Sequence, residues 1–176
     1  MNHYIIKKLQ LLNSILNIES GDKKYINELI TKYSKDEMKK KVVKNKEDLF
    51  KILLSDSNPK YYIDSPMGSK KGFGDKKRVL PFDYGELSNY INPADDMGWD
   101  IIIPPSNGEL SSIKPIGVVE VNDDPKIWKE KADRKPPIGN DKIIVSNDGN
   151  ISKEDKKIIE DFFSTMWQFK KIKWYE

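Results

Sequence analysis

Cysteine is absent from this chain of 176 residues, and histidine occurs only once, as His3. Without cysteine there can be no disulfide, no thiolate nucleophile and no cysteine-type zinc site. A serine–histidine pair or a histidine-rich metal site would have to use His3, at the very start of the chain. Any chemistry therefore rests on carboxylates, lysine, arginine and tyrosine.

Long apolar runs are also lacking, and none approaches the roughly 20 residues that cross a membrane. The first ten residues, MNHYIIKKLQ, lack the basic start, apolar core and cleavage site of a secretory signal. Charged residues make up 34% of the chain and apolar residues 37%, which is typical of a globular protein with a solvated surface. These features predict a cytoplasmic protein without a membrane partner.

The net charge is only +3, and it is unevenly spread. Residues 1–60 hold 13 lysines and 8 acids, whereas residues 61–176 hold 18 lysines and arginines and 20 acids. A mildly acidic body with a basic appendage differs from the basic stripe of a nucleic-acid-binding domain. The aromatic residues lie on apolar runs instead of alternating with basic ones, which also argues against a nucleic-acid partner.

The first third of the chain has the periodicity of helices. Apolar residues recur at three- and four-residue steps over 4–18 and again over 25–33. A capping box at Ser34 opens a third helix, and Asn45 caps a fourth that runs through Leu54. The turn-forming cluster 55–59 then predicts a boundary between a helical N-terminal extension, 1–58, and a second domain, 59–176. The apolar stripe of the extension would pack on the body, on a second copy of the chain or on a protein partner.

From Tyr61 onward, short apolar runs alternate with turn residues, which predicts an all-β or mixed barrel. The segment 126–139 is expected to be an exposed loop or a short helix. A terminal helix starts at Ser152, where Asp155 completes a capping-box pattern. Strands are predicted at 61–64, 101–104, 116–121 and 142–145, with a weaker one at 78–80, and the terminal helix should bury Ile158, Ile159, Phe162, Phe163 and Met166.

The stretch 81–105, PFDYGELSNYINPADDMGWDIIIPP, gathers three aspartates immediately before an isoleucine run. Asp95, Asp96 and Asp100 therefore lie at the entrance of a buried strand that two prolines end. Clustered carboxylates repel one another, and oxygen-only sets of this kind hold hard divalent ions such as magnesium. The alternative is a polar loop whose aspartates cap turns.

This window resembles the signature region of the soluble family I inorganic pyrophosphatases. The matching residues are Pro81, the Tyr84-Gly85 pair, Asp95 and Asp100. The resemblance extends over roughly 61–174. It includes the segments Ile63–Ser69, Arg78–Leu80, Lys114–Val119, Asn122–Asp124, Asn140–Val145, Phe162-Phe163 and Lys173-Trp174.

The resemblance implies an α+β fold, in which a small OB-like, five-stranded β-barrel packs against a C-terminal helix. It also implies a hydrolase that splits inorganic pyrophosphate, or another small phosphate, into phosphate with magnesium, or manganese, as the metal. The implied roles are metal ligation by Asp95, Asp100, Asp123 and Asp141, catalysis by Asp100, Asp96 and Tyr84, and phosphate binding by Arg78, Lys142 and Tyr84, with Asp64 as an acidic support.

Several positions depart from the family pattern. Met97 stands where the family has the aspartate that helps to activate water, and a thioether takes no proton at neutral pH. Asn140 matches an aspartate in strict register, although Asp141 is adjacent. The substrate-binding Tyr-Lys pair falls on Met166-Trp167. The alternative function is therefore a catalytically impaired pyrophosphatase-fold protein that binds phosphate or a protein partner.

Overall fold

The computed structural model describes residues 40–56, 59–73, 76–133, 135 and 139–175. The helices predicted over 4–18, over 25–33 and from Ser34 lie outside these described residues.

Three helices and nine strands make up the described part of the chain. The helices are α1 (Lys46–Ser55), α2 (Pro125–Ala132) and α3 (Lys153–Ser164). The strands are β1 (Lys41–Val42), β2 (Tyr61–Ser65), β3 (Lys70–Phe73), β4 (Lys76–Val79), β5 (Asp83–Asn92), β6 (Met97–Ile103), β7 (Lys114–Val121), β8 (Lys142–Ser146) and β9 (Phe169–Trp174).

Seven of these strands form one sheet in the order β1-β5-β6-β8-β7-β9, and β2 also pairs with β5. The β6–β8 pair is parallel, whereas β5 pairs antiparallel with β2 and β6, and β7 pairs antiparallel with β8 and β9. Strands β3 and β4 form a separate two-stranded sheet. The predicted α+β class is confirmed. Among the described residues the pairings follow an open path, and closure into a barrel stays a prediction.

The central sheet buries both of its faces. Successive side chains of a strand point to opposite sides, so Ile101 and Ile103 join one apolar cluster while Ile102 joins another. In β8, Ile143 and Val145 likewise belong to the first cluster, and Ile144 belongs to the second. The first cluster includes α1, and the second includes α3. A run of consecutive isoleucines is what a strand covered on both faces requires.

Helix α1 begins where the sequence predicts it. The Asn45 side chain accepts a hydrogen bond from the Asp48 backbone N–H at 2.8 Å, which satisfies an otherwise free donor of the first turn. Leu49 and Leu53 are completely buried in the first apolar cluster. Residues Val42–Glu176 form one compact unit, which includes α1. The predicted division at residue 58 stays a prediction.

Helix α3 also has its predicted cap, because Ser152 Oγ accepts from the Asp155 backbone N–H at 3.0 Å. Of the five side chains expected to be buried, Ile159, Phe163 and Met166 are buried, whereas Ile158 and Phe162 are half-buried. The Asp155 carboxylate itself accepts a hydrogen bond from Ser106 Oγ, which ties the first turn of α3 to the loop after β6. The segment 126–139 was predicted to be either an exposed loop or a short helix. Its first part is helical and belongs to α2.

The sequence analysis did not predict three strands of the large sheet, namely β1, β5 and β9. β5 occupies much of the acidic signature stretch, where Gly85, Asn89 and Asn92 weaken the strand pattern. β9 has the sequence FKKIKW, in which half of the residues are lysine. Among the residues that the structure describes, β9 pairs only with β7, and lysines on an edge strand discourage pairing with another chain.

Gly85 lets β2 approach β5 closely. A Cβ atom at this position would lie 2.1 Å from the Tyr62 carbonyl oxygen, a distance at which the backbone would have to move. The register that results places Tyr62 opposite Glu86. The glycine of the Tyr-Gly pair therefore has a steric role in positioning two polar side chains.

Within the described residues, no helix combines the length and apolar character needed to span a membrane.

Candidate functional site

The second face of the sheet becomes polar beyond the apolar cluster under α3. Asp100 lies two residues before Ile102 in β6, and Lys142 lies two residues before Ile144 in β8, so both share the face of these isoleucines. Lys142 Nζ donates hydrogen bonds to Asp100 Oδ2 and to Asn140 Oδ1. The lysine is buried, and Asp100 is partly buried. The parallel pairing of β6 with β8 thus joins two of the predicted site residues.

Tyr84 adds the third predicted residue to this pair. Its buried hydroxyl hydrogen-bonds to Asp100. Burial raises the pKa of the Tyr84 phenol well above its usual value, and the adjacent Asp100 charge adds to the effect. The phenol therefore stays protonated at neutral pH and holds the Asp100 carboxylate in place as a donor.

A lysine from the small β3–β4 sheet extends this network. Lys71 Nζ lies 3.9 Å from the centre of the Tyr84 ring, within the range of a cation–π interaction. The same ammonium group donates to Asp64 Oδ2 at 2.6 Å and to Ser65 Oγ at 3.4 Å. Six side chains thereby form one continuous network, called here the polar chain, in the order Asp64, Lys71, Tyr84, Asp100, Lys142 and Asn140.

Two further polar residues, which the sequence analysis missed, lie beside the polar chain. Glu86 is directly opposite Asp100 in the β5–β6 register and directly opposite Tyr62 in the β2–β5 register. The Tyr62 hydroxyl donates to Glu86, and the Gly98 backbone N–H donates to Glu86 Oε2 at 3.2 Å. Had β5 been recognised as a strand, the two-residue spacing from Tyr84 would have placed Glu86 on the same face.

The carboxylates at this end of the sheet interact with one another. The pKa of Glu86 is above its ordinary value. Burial is the main cause, and the negative charge of Asp100 adds to it, whereas the hydrogen bond from Tyr62 acts in the opposite direction. The pKa of Asp95 is raised as well, first by burial and then by the charge of Asp100, against a lowering by Met97 N–H and Lys142. Negative charge is therefore concentrated around Asp100.

Asp95 and Asp96 belong to the turn between β5 and β6. Both residues are exposed overall, although neighbouring atoms partly desolvate the Asp95 carboxyl group. Asp95 Oδ1 accepts from the Met97 backbone N–H at 3.1 Å, as expected for a turn-capping aspartate. Asp96 has a positive φ of 58°, a left-handed conformation that aspartate tolerates better than most residues. The structure thus gives the two residues turn geometry, with Asp95 close enough to Asp100 for a charge interaction.

Arg78, which was predicted to bind phosphate, contacts the end of α3. Its guanidinium donates to Thr165 Oγ1 at 2.6 Å and to the Thr165 carbonyl oxygen at 3.2 Å. Thr165 is the C-cap residue of that helix, where free carbonyl groups favour a cation. Arg78 is opposite Lys71 in the β3–β4 pair, yet its terminal nitrogens bind the helix end.

Asp141 binds residues other than those of the polar chain. Its carboxylate accepts from Lys46 Nζ at 2.7 Å and from the Val121 backbone N–H at 2.9 Å. The same lysine donates to Glu120 Oε1 at 2.9 Å. Lys173, 2.6 Å away, and Lys171, 3.7 Å away, also pair with Glu120. These five residues form a second ionic group, called here the Glu120 cluster, which links α1, β7 and β9.

Asp123 is exposed in the loop after β7. Its Oδ1 atom forms an ion pair with Lys170 Nζ at 3.4 Å. The structure therefore joins Asp100, Tyr84 and Lys142 directly and brings Asp95 near them. It does not bring Arg78, Asp123 or Asp141 into the polar chain.

The oxygen atoms around Asp100 are chemically suited to magnesium, but the arrangement of the described ones does not form a magnesium site. The carboxylates of Asp64, Glu86 and Asp100 are the kind of oxygen ligand that a hard divalent ion prefers. In the described part of the chain, however, no three or more acidic or histidine side chains are grouped as a metal site. Lys71 and Lys142 bind the two carboxylates of the polar chain, Asp64 and Asp100. The arrangement of side chains in this structure is thus not a preformed metal cage.

A cavity of about 420 Å³ opens elsewhere, between the start of β2 and the loop before β7. Its lining includes Lys60, Tyr61, Ser88 and Lys114, and none of its lining residues belongs to the polar chain.

Compared with known proteins, the chain matches no family model, no curated protein and no solved structure. Its resemblance to the family I pyrophosphatases therefore rests on the residues quoted above.

Proposed function

We propose that this protein is a divergent, metal-dependent inorganic pyrophosphatase that acts from the polar chain. The observation that carries the proposal is the direct contact of Tyr84 and Lys142 with Asp100, three residues that the family resemblance had selected from separate segments. Two cations and several carboxylates around a buried phenol can hold a phosphate and a divalent ion together.

The proposed fold is the OB-like barrel of that family. Five strands, in the order β2-β5-β6-β8-β7, all contribute side chains to the first apolar cluster. The contributing residues include Ile63, Leu87, Ile101, Val118 and Ile143. A single core surrounded by five strands supports a barrel, with α1 closing one side of that core and α3 packing on the outer face.

In the proposed reaction, water attacks one phosphorus atom and the other phosphate leaves. Catalysis of such a transfer is mostly positioning and charge stabilisation. Lys142 and Lys71 would bind phosphate oxygens, and Tyr84 would keep the Asp100 carboxylate oriented. Glu86, beside Asp100, would accept a hydrogen bond from the attacking water, in place of the aspartate that Met97 replaces. A bound magnesium ion would neutralise phosphate charge and acidify a coordinated water.

The test is phosphate release from pyrophosphate in the presence of magnesium. The wild-type chain should release phosphate above background, and Asp100→Asn should lower kcat/KM at least about 100-fold, because loss of one preorganised charge costs this much in comparable sites. Asp161→Asn, in an exposed lysine pair on α3, is the matched control and should keep wild-type activity. No release by the wild-type protein would refute the enzyme hypothesis.

A catalytically impaired phosphate-binding or protein-binding module is the second candidate. It is favoured by Met97, which is 48% exposed at the start of β6 and offers no proton acceptor where the family has an aspartate. This candidate predicts that pyrophosphate binds in a calorimetric titration but that no phosphate is released.

A further inference from the structure

Two lysine–serine pairs from distant parts of the chain line the cavity beside the start of β2. The Ser88 backbone N–H donates to the Lys60 carbonyl oxygen at 2.8 Å, which sets these two residues side by side. Lys114 is the first residue of β7, and Ser112 lies two positions before it. The cavity volume of about 420 Å³ is within the range of small-molecule sites, about 300–1,000 Å³. The cavity is therefore large enough to hold a small ligand.

The two lysines of the cavity differ from those of the polar chain. Lys71 and Lys142 are each bound to a carboxylate. In contrast, none of the acidic side chains that the structure describes forms an ion pair with Lys60 or Lys114. Lys60 is exposed, and Lys114 is half-buried. An anion could therefore contact both ammonium groups without separating an ion pair of the described residues.

Hydrogen bonds to the loop before β7 fix the shape of the cavity. The Tyr61 hydroxyl accepts from the Leu110 backbone N–H at 2.8 Å and donates to the Leu110 carbonyl oxygen at 3.3 Å, which ties β2 to this loop. Asn147 Oδ1 accepts from the backbone N–H groups of Ser111 and Ser112, at 2.7 and 3.3 Å. A site whose walls are fixed before the ligand arrives loses less conformational freedom on binding.

The charge of the cavity lining selects the kind of anion. The lining also includes Asp56, whose carboxylate accepts a hydrogen bond from the Tyr90 hydroxyl. With the two lysines, Lys60 and Lys114, this leaves one positive charge in excess. A singly charged anion balances that excess, whereas diphosphate or another multiply charged anion brings further negative charge close to Asp56.

The remaining lining residues give the cavity apolar walls. Leu110 and Ile113 are buried, and the ring of Tyr61 is half-buried. Ligand sites typically combine such walls with a few polar groups that fix orientation. We propose that this cavity binds a small organic acid, whose carboxylate pairs with Lys60 and Lys114 and whose short apolar body packs against these walls. The cavity is separate from the polar chain, so the inference goes beyond the proposed function.

The test is a nuclear magnetic resonance titration of the isotope-labelled full chain with three probes. Benzoate is a monoanion with a short apolar body, and benzamide is its neutral counterpart. Phenyl phosphate is mostly a dianion at neutral pH, because its second pKa is about 6. Benzoate should shift the backbone amide signals of Ser88, Ser111 and Ser112 in a saturable way. Benzamide should bind at least about tenfold more weakly, because it lacks the charge, and phenyl phosphate should also bind more weakly than benzoate.

Lysine variants test the origin of the affinity. Lys60→Met and Lys114→Met should each weaken benzoate binding by about fivefold or more, since each removes one charged partner of the carboxylate. Either variant suffices if circular dichroism shows that the other does not fold. Lys126→Met is the matched control, because it removes the same charge from an exposed position on α2 that does not line the cavity. It should bind benzoate as the wild type does.

The inference is overturned if benzoate causes no saturable shifts at the cavity, if benzamide binds equally well, or if both lysine variants keep wild-type affinity. Tighter binding of phenyl phosphate than of benzoate would overturn the assignment to a carboxylic acid. Phosphate release from pyrophosphate tests the proposed function separately. Its absence would leave the carboxylate site standing, and release by a protein that fails to bind benzoate would do the reverse.

Discussion

Glu86 and Asp100 lie directly opposite each other on the antiparallel strands β5 and β6, so two carboxylates share one polar end of the sheet. Like charges in opposite positions of a strand pair destabilise it. The register of this pair follows from that of neighbouring hydrophobic pairs such as Gly85 with Ile101 and Leu87 with Trp99. Apolar packing therefore holds together two acids that would otherwise separate.

The raised pKa of Glu86 predicts a pH-dependent effect of Glu86→Gln. The Glu86 carboxyl group has a higher pKa in the folded than in the unfolded protein. The folded protein therefore loses stability as pH rises above the ordinary glutamate pKa of about 4.3. Glutamine carries no charge and keeps an oxygen for the Tyr62 and Gly98 donors. We expect the stability of the variant relative to wild type, from urea denaturation, to be greater at pH 7 than at pH 4. Glu109→Gln, at an exposed loop position, should show no such trend, and an equal gain at both pH values would contradict the prediction.

Glycine substitutions should separate steric from conformational effects. Gly85→Ala places a Cβ atom 2.1 Å from the Tyr62 carbonyl oxygen, whereas Gly72→Ala meets nothing within 4 Å. Overpacking against backbone costs about 1–3 kcal/mol or more, so Gly85→Ala should lower the free energy of unfolding by about 3 kcal/mol. Gly72→Ala should change it by less than about 0.5 kcal/mol. Equal effects in urea denaturation would rule out the close approach of β2.

Adjacent leucines test whether α1 is part of the core. Leu53 is completely buried, while Leu54 is 61% exposed. Leu53→Ala should cost about 2–5 kcal/mol of unfolding free energy, the range for truncation of buried leucine. Leu54→Ala should cost about 0.5 kcal/mol or less. If both variants matched wild type in thermal or urea unfolding, α1 would not be docked on the sheet.

The Glu120 cluster predicts a loss of stability in acid. Burial alone would raise the pKa of Glu120, but hydrogen bonds and charge from Lys173 and Lys46 outweigh it and lower the pKa to about 2. A carboxylate with a lowered pKa stabilises the folded protein at pH values above the ordinary glutamate pKa of about 4.3. This stabilisation is lost as pH falls toward 2. Glu120→Gln should therefore cost about 2 kcal/mol at pH 7, where three lysines lose a counter-charge, and less at pH 3.

Asp161→Asn is the control for this experiment, since its lysine pair on α3 is solvent-exposed. Exposed pairs contribute about 0–1 kcal/mol, so the control should unfold almost as the wild type does at both pH values. A Glu120→Gln variant that lost as much stability at pH 3 as at pH 7 would show that the charge is not responsible.

Tyr84→Phe should distinguish the hydroxyl from the ring. The variant keeps the aromatic face that Lys71 contacts at 3.9 Å and removes the hydrogen bond to Asp100. If the proposed function holds, kcat/KM for pyrophosphate should fall by about 10- to 150-fold, since one hydrogen bond to a charged group is worth about 1.5–3 kcal/mol. Tyr90→Phe removes a hydroxyl that donates to Asp56, outside the polar chain, and should leave kcat/KM unchanged.

Sequence patterns predicted the helices with clear caps. Asn45 and Ser152 have side chains that satisfy free N–H groups locally, and both helices begin immediately after them. The apolar runs after Asp100 and Lys142 are strands, as is typical of consecutive β-branched residues in a sheet that is covered on both faces. These features depend on neighbours in sequence, so the sequence alone was sufficient.

The candidate site was predicted only in part. Asp100, Tyr84 and Lys142 were selected from the family resemblance, and strand pairing brings them into contact. Glu86, Tyr62 and Lys71 were missed, because their proximity depends on the register of β5 with β2 and on the folding of the β3–β4 pair against β5.

Local sequence patterns thus determined the starts of α1 and α3 and the strands with strong apolar runs, since these follow from the backbone and its nearest neighbours. Only the tertiary structure decided that Asp141 joins Lys46, that Arg78 binds the end of α3 and that lysines bind Asp64 and Asp100. The physical reason is that a charged side chain pairs with whichever opposite charge the fold brings within a few ångströms, and that choice depends on residues far apart in sequence.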